Sequence, residues 1–213
     1  MLYGTDHRNV QETFETRSLA DVMARNVHAQ LSEAEQAFIE SRDMMFISSV
    51  DHRGQPTVSY KGGDPGFVHV VDPGTLAVPS YDGNGMYLTL GNIKGNARVA
   101  LLFIDFEKPR RLRVHGEATL ALDDPLLSDY KDADLIVRIK ITEIFPNCPR
   151  YIHKYRKLES SSYVPRQDCE TPVPDWKRLD DVQDALRPRD RDEVETLGGA
   201  IPRAEYEAKR WRK

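Results

Sequence analysis

The chain has 213 residues, with 30 basic and 34 acidic side chains and a formal net charge of −4. That length allows one domain of ordinary size plus extensions, with enough core to fold without disulfide staples. The charge balance argues against a nucleic-acid partner, whose binders carry a basic face, and against an anionic membrane surface. Met1–Val10 is polar and lacks the apolar stretch of a signal peptide, and the longest apolar run, Val99–Ile104, is too short to span a bilayer. Only Cys148 and Cys169 are present, without metal-type spacing. A cytoplasmic protein in a reducing compartment is expected.

The first 42 residues read as a helical extension. Leu19, Val22, Met23 and Val27 stand at helical spacing within 18–30. Ser32-Glu33-Ala34-Glu35 has the form of a capping box opening a short helix that ends near Ser41. The period then changes from helical to alternating. Met44–Val50 and Pro56–Lys61 read as a hairpin around the turn Asp51–Gly54. Gly62–Gly66 is a loop, and Phe67–Val71 and Thr75–Pro79 form a second hairpin around Asp72-Pro73-Gly74. After the loop Ser80–Gly85, a short helix is expected from Met86 to about Gly95. Ala97–Asp105 is nearly all apolar and reads as a strand buried on both faces. Arg110–Leu122 and Leu135–Phe145 alternate and read as half-exposed strands.

Few helices and many tight turns argue for a six-stranded antiparallel barrel rather than a βαβ sheet. The fold class is therefore mainly β with peripheral helices, and the barrel domain runs over 43–157. Residues 158–213 form a charged extension; from Glu159 onward it carries five prolines, with short helices expected at Trp176–Leu186 and Ala204–Trp211.

Several catalytic signatures are absent. Gly83-Asn84-Gly85 opens like a dinucleotide fingerprint, but Leu88 stands at the third glycine position. There is no Walker A sequence, no His-Glu-x-x-His and no Gly-x-Ser-x-Gly elbow. The six histidines are scattered, so no metal centre is expected. His69 and His115 read as structural, and Cys148 before Pro149 reads as a buried small hydrophobe.

Three polar, glycine-rich segments remain between the strands: SYKGGDPGF at 59–67, YDGNGMYLTLGNIKGN at 81–96 and NCPRYIHKY at 147–155. Taken alone, Lys61 is a strand-end lysine, Asn84 a helix cap, and Thr89 and Asn92 two residues on one helix face. In this order the segments resemble the FMN-binding split-barrel family related to pyridoxamine 5′-phosphate oxidase, over about Ala34–Tyr155.

The resemblance implies a homodimer binding FMN. It places Lys61, Asn84, Tyr87, Thr89 and Asn92 around the flavin phosphate and the backbone of Val58, Ser59 and Tyr60 at the polar edge of the ring. Arg150 and Tyr151 would reach in from the partner subunit. The residue types suit a compact dianion, which calls for a cation, hydroxyls or amides, and a helix N-terminus.

The implied activity is flavin-mediated hydride transfer on a small substrate, with NAD(P)H a candidate reductant, since the cofactor carries the difficult chemistry. No catalytic acid or base is assigned. A deazaflavin or haem in the same fold, and a non-catalytic flavin-binding or scaffold protein, stand as alternatives. Tyr87-Leu88-Thr89 occupies the place where the vitamin B6 oxidases carry a basic pair, and the C-terminus lacks their arginine-rich motif. Vitamin B6 oxidation itself is therefore not the expected activity.

Overall fold

In the computed structural model, which describes residues 2–210, the chain divides into two compact units, Met1–Ser160 and Ser161–Lys213. The first is built on one antiparallel sheet of seven strands in the order β2-β1-β5-β6-β7-β4-β3. These are β1 (Met44–Val50), β2 (Pro56–Gly62), β3 (His69–Asp72), β4 (Thr75–Tyr81), β5 (Arg98–Asp105), β6 (Arg110–Ala121) and β7 (Ala133–Pro146). The mainly-β expectation is met with one strand more than six. The four-residue β3 hydrogen-bonds to β4 and extends the sheet at its edge.

Local rules account for most of the elements. α1 (Thr5–Thr13) and α2 (Arg17–Ala24) precede α3 (Glu33–Glu40). Ser32 caps α3 as its spacing requires: the Glu35 N–H donates to Ser32 Oγ at 3.4 Å, and the Ser32 N–H donates to Glu35 Oε2 at 2.9 Å. The helix expected over 18–30 stops at Ala24. His28 instead pairs with Ile144 on the edge of β7 that β4 leaves open. Both ring nitrogens of His28 meet acceptors, the Asn26 carbonyl at 2.8 Å and Glu35 Oε2 at 3.0 Å.

The core lies on one face of the sheet. Met45 and Ile47 of β1, Leu101 and Phe103 of β5, Leu112 and Val114 of β6, and Ile139 and Ile144 of β7 are buried there together. At roughly 25 cal/mol per Å² of apolar area, each such side chain contributes about 1.5–3 kcal/mol. The strand buried on both faces is β4, where Leu76, Ala77, Val78 and Pro79 are all buried, and not β5, where Ala100, Leu102 and Ile104 keep partial exposure. Apolar composition alone does not distinguish a doubly covered strand from one whose second face remains open. Gly116 forms the β-bulge of β6: a Cβ there would lie 2.6 Å from Ile139 Cγ2 and 2.7 Å from the Lys140 carbonyl oxygen.

The second unit is not an unstructured tail. Two 3₁₀ segments, Asp175–Arg178 and Asp180–Ala185, lead into α5 (Pro188–Thr196) and α6 (Arg203–Arg210). Trp211, expected to end the last helix, lies outside the described residues. Leu179, Leu186, Val194 and Ile201 are buried. Asp190, itself buried, takes Lys177 Nζ at 2.9 Å and Arg187 Nε at 2.7 Å. Burial works against ionisation of Asp190, but these donors outweigh it and hold its carboxyl down at about 2.

Candidate functional site

β2 is an edge strand, hydrogen-bonded only to β1, so alternate backbone groups along its free side point away from the sheet. Its side chains divide by parity. Val58 and Tyr60 stand on the outer face, 68% and 61% exposed. Thr57, Ser59 and Lys61 share the inner face, opposite Ser49, Ile47 and Met45 of β1. The helix that packs on this corner is α4 (Leu88–Gly95), which contacts β1 and β6.

Asn92 of α4 is buried, and its Nδ2 donates to Ser49 Oγ at 3.0 Å and to Thr57 Oγ1 at 3.3 Å. Ser49 Oγ and Thr57 Oγ1 lie 3.1 Å apart, and one turn earlier Thr89 Oγ1 lies 3.1 Å from Ser59 Oγ. Thr89 and Asn92 do share a face, as their spacing implies. That face is turned into the sheet, and the Asn92 amide nitrogen is directed at protein hydroxyls.

Lys61 is different. It is half-buried two residues beyond Ser59, a rise of about 7 Å along the strand. Burial pushes its pKa below the usual 10.5. Among the described residues its ammonium has no hydrogen-bond or ion-pair partner. A desolvated cation without a counter-ion is costly to keep unless something else supplies the charge.

The loop after Lys61 is tightly set. The Gly63 N–H donates to the Asp43 carbonyl at 2.9 Å, and a Cβ on Gly63 would lie 2.4 Å from Phe67 Cβ, so only glycine fits there. Asp64 in this loop lies near Tyr81 at the end of β4; burial first, then Tyr130 and Asp64, push that phenol up to about 12.

Asn84 does not cap α4. Its Oδ1 accepts from the Met86 N–H at 3.1 Å, a local turn, and α4 begins at Leu88 rather than Met86. The N-cap residue is Tyr87, in the left-handed region at φ 47°, with no capping side-chain bond. The first-turn N–H groups of α4 are therefore left without a side-chain acceptor. The Tyr87 hydroxyl reaches Asp134 Oδ2 at 3.4 Å. Arg150 is exposed in the turn after β7. Cys148 is exposed, contrary to its reading as a buried small hydrophobe, because the chain leaves the sheet at Pro146 before reaching it.

Two further atoms escape a sequence reading. Arg111 Nε and Asn147 Oδ1 are buried and have no hydrogen-bond partner among the described residues. Continuing the register Leu112↔Pro146 and Arg113↔Phe145 places Arg111 opposite Asn147. Arg111 and Arg113 are on the outer face, since Leu112 and Val114 between and beyond them fill the core. One row on that face runs Tyr60, Phe46, Leu102, Arg113, Phe145 across five strands. Tyr60 meets Phe46 edge-on at 5.9 Å, and the Arg113 guanidinium sits 5.2 Å over the Phe145 ring.

The sequence model of pyridoxamine 5′-phosphate oxidase matches residues 31–148, just over half of the chain. The chain belongs to the pyridoxamine 5′-phosphate oxidase family. No curated protein matches it. Among solved structures it is similar to a candidate pyridoxamine 5′-phosphate oxidase of Lactobacillus delbrueckii, with 27% identity over 55% of this chain and 95% of that one and a TM-score of 0.46. It is also similar to an FMN-binding protein of Syntrophomonas wolfei (14% identity, 64% and 96% covered, TM-score 0.43). HutZ, the haem storage protein of Vibrio cholerae, is a third (17% identity, 55% and 95% covered, TM-score 0.39).

The family match takes in β1 to β7, α4, Lys61 and Asn147, and stops before Arg150. This member of the pyridoxamine 5′-phosphate oxidase family thus joins Ser59 to Thr89 and sets Lys61 beside them. Arg111 and Asn147 stand on the opposite face of the sheet. Among the described residues, no helix is long and apolar enough to cross a membrane.

Proposed function

We propose that this chain is an FMN-binding oxidoreductase that works as a homodimer on a small substrate other than a B6 vitamer. The observation carrying this reading is Lys61, a half-buried cation with no counter-ion among the described residues. It stands about 7 Å along β2 from the Ser59–Thr89 pair and beside the uncapped start of α4. A phosphate dianion needs these donors: one ammonium, two hydroxyls and the open N–H groups of a helix N-terminus. Tyr87 supports the reading through its left-handed backbone at that start, since a non-glycine residue at positive φ costs on the order of 1 kcal/mol and such strain gathers at ligand sites.

In this reading Lys61 offsets one of the two phosphate charges, while the Ser59 and Thr89 hydroxyls turn toward it. Asn92 keeps α4 at the right height on β1 and β2 through Ser49 and Thr57. The free backbone of Val58–Tyr60 meets the polar edge of the ring. The outer-face row from Tyr60 to Phe145 is the surface on which two protomers pair. Arg111, Asn147 and Arg150 then come from the second protomer. Arg111 Nε has a proton to donate and Asn147 Oδ1 a lone pair to offer, which together suit the alternating carbonyl and N–H groups of a flavin pyrimidine edge. Bound FMN supplies hydride chemistry, so the side chains need only bind, orient and exclude water.

Flavin titration followed by fluorescence tests this directly. Wild-type protein binds FMN, and Lys61→Met weakens binding by about 10- to 100-fold, the scale of one charge-assisted hydrogen bond. Failure of the wild type to bind FMN overturns the proposal. A sedimentation experiment in the presence of FMN checks the shared site, for which a monomer is the contradicting result.

A further inference from the structure

The stretch that follows β7 has its own charge pattern. From Asn147 to Leu158 it carries Arg150, Lys154, Arg156 and Lys157 and no acidic residue, in a chain of net charge −4. It is also held in place. The Tyr155 N–H donates to the Phe106 carbonyl at 3.0 Å, its ring packs edge-on to Phe106 at 5.4 Å, and the Lys157 N–H donates to Glu107 Oε1 at 3.1 Å. Lys157 Nζ pairs with Asp43, whose carbonyl accepts from Gly63, two residues beyond Lys61. The strap is thus tied through Asp43 to the loop that leaves the proposed phosphate site.

With Lys157 occupied by Asp43, Lys154 and Arg156 are exposed on either side of Tyr155 and have no partner among the described residues. Tyr151, 84% exposed, offers a bare aromatic face three residues before Lys154, at most about 11 Å of chain away. A solvated charge run needs neither the anchoring contacts nor an unpacked tyrosine. Two cations flanking Tyr155 and a free ring a few residues earlier match a nucleotide: phosphates pair with the cations, and the base stacks on the ring. The span is too short, and the chain too acidic overall, for a nucleic-acid backbone.

We propose that the strap at 151–156 binds the pyrophosphate and base of a nucleotide, the hydride donor for the flavin site; this rests on the flavin reading above. Lys154 and Arg156 carry the diphosphate and Tyr151 stacks on the base. The test is calorimetric titration of the full chain, loaded with FMN, with ADP at low salt. Wild type binds ADP saturably. Lys154→Ala/Arg156→Ala and Tyr151→Ala each weaken it at least tenfold, with unchanged melting temperatures because all three side chains are exposed. Absence of saturable ADP binding, or an unchanged affinity in the double variant, overturns the inference. FMN binding without ADP binding breaks the strap reading alone, and ADP binding without FMN binding breaks the flavin reading alone.

Discussion

Two ends of one strand face treat polar groups in opposite ways. At Thr57, the inner face of β2 meets Ser49 and Asn92 in a closed set of hydrogen bonds, every one of them between protein groups. Four residues further on, Lys61 is desolvated on that same face and has no protein partner among the described residues. A closed network adds to the stability of the empty protein, whereas an open one costs stability until a ligand completes it. The contrast divides α4 and β2 into a part whose polar groups are satisfied within the protein and a part that the proposed flavin site would complete.

Breaking the closed end has the largest expected effect on stability. Asn92→Leu leaves buried Ser49 and half-buried Thr57 without their amide donor, and urea unfolding is expected to lose about 2–3 kcal/mol. A loss below about 0.5 kcal/mol would mean that the network contributes no frame.

The outer face gives the opposite sign. Arg111→Met removes a buried, unpartnered Nε, so apo-protein stability is unchanged or slightly raised, while FMN affinity falls about tenfold. Equal FMN affinity in wild type and variant would take Arg111 out of the site.

A smaller effect is expected in alkaline solution. Burial lowers the Lys61 pKa from 10.5, so between the lowered value and 10.5 the unfolded chain holds more protons than the folded one. The contribution of this group to apo stability therefore rises with pH through that window. Tyr81, raised to about 12, acts the other way above its ordinary value of 10.0. The component belonging to Lys61 is read as the difference between wild type and Lys61→Met in unfolding midpoints across that range.

The smallest effect belongs to His28 and Glu35, a partly exposed pair. The hydrogen bond to the Asn26 carbonyl, then Glu35, raise the His28 pKa from 6.5; burial raises that of Glu35, but Ser32 and His28 outweigh it and bring it below 4.5. The His28 contribution is full below 6.5 and fades as pH rises through its raised value. The Glu35 contribution is full above 4.5 and fades as pH falls. His28→Gln is thus expected to cost most between those limits, by a few tenths of a kcal/mol, and a pH-independent difference would contradict the pairing.

The same contrast explains what the sequence could reveal. The capping box at Ser32 and the hairpin β1–β2 are local: residues three or a few apart determine them, and both were legible. Lys61 was legible as a candidate because a strand-end cation precedes a double glycine. The role of Asn92 was not, because its partners Ser49 and Thr57 lie 43 and 35 residues away and only the packing of α4 on β1 brings them together. Nor was the start of α4, where Asn84 makes a local turn and the helix waits until Leu88. Arg111 looked like any outward residue of an alternating strand. Its signal lay in Arg110-Arg111-Leu112-Arg113, a cluster of cations on a strand whose register faces Asn147.

The proposed site turns on Lys61, desolvated and awaiting an anion from outside the protein. The most direct measurement pairs urea unfolding of the apo-protein with FMN titration for wild type and Lys61→Met. Lys61→Met is expected to shift the two in opposite directions: apo stability equal to or above wild type, and FMN affinity about 10- to 100-fold weaker. A variant that loses stability while binding FMN as tightly as wild type would contradict it.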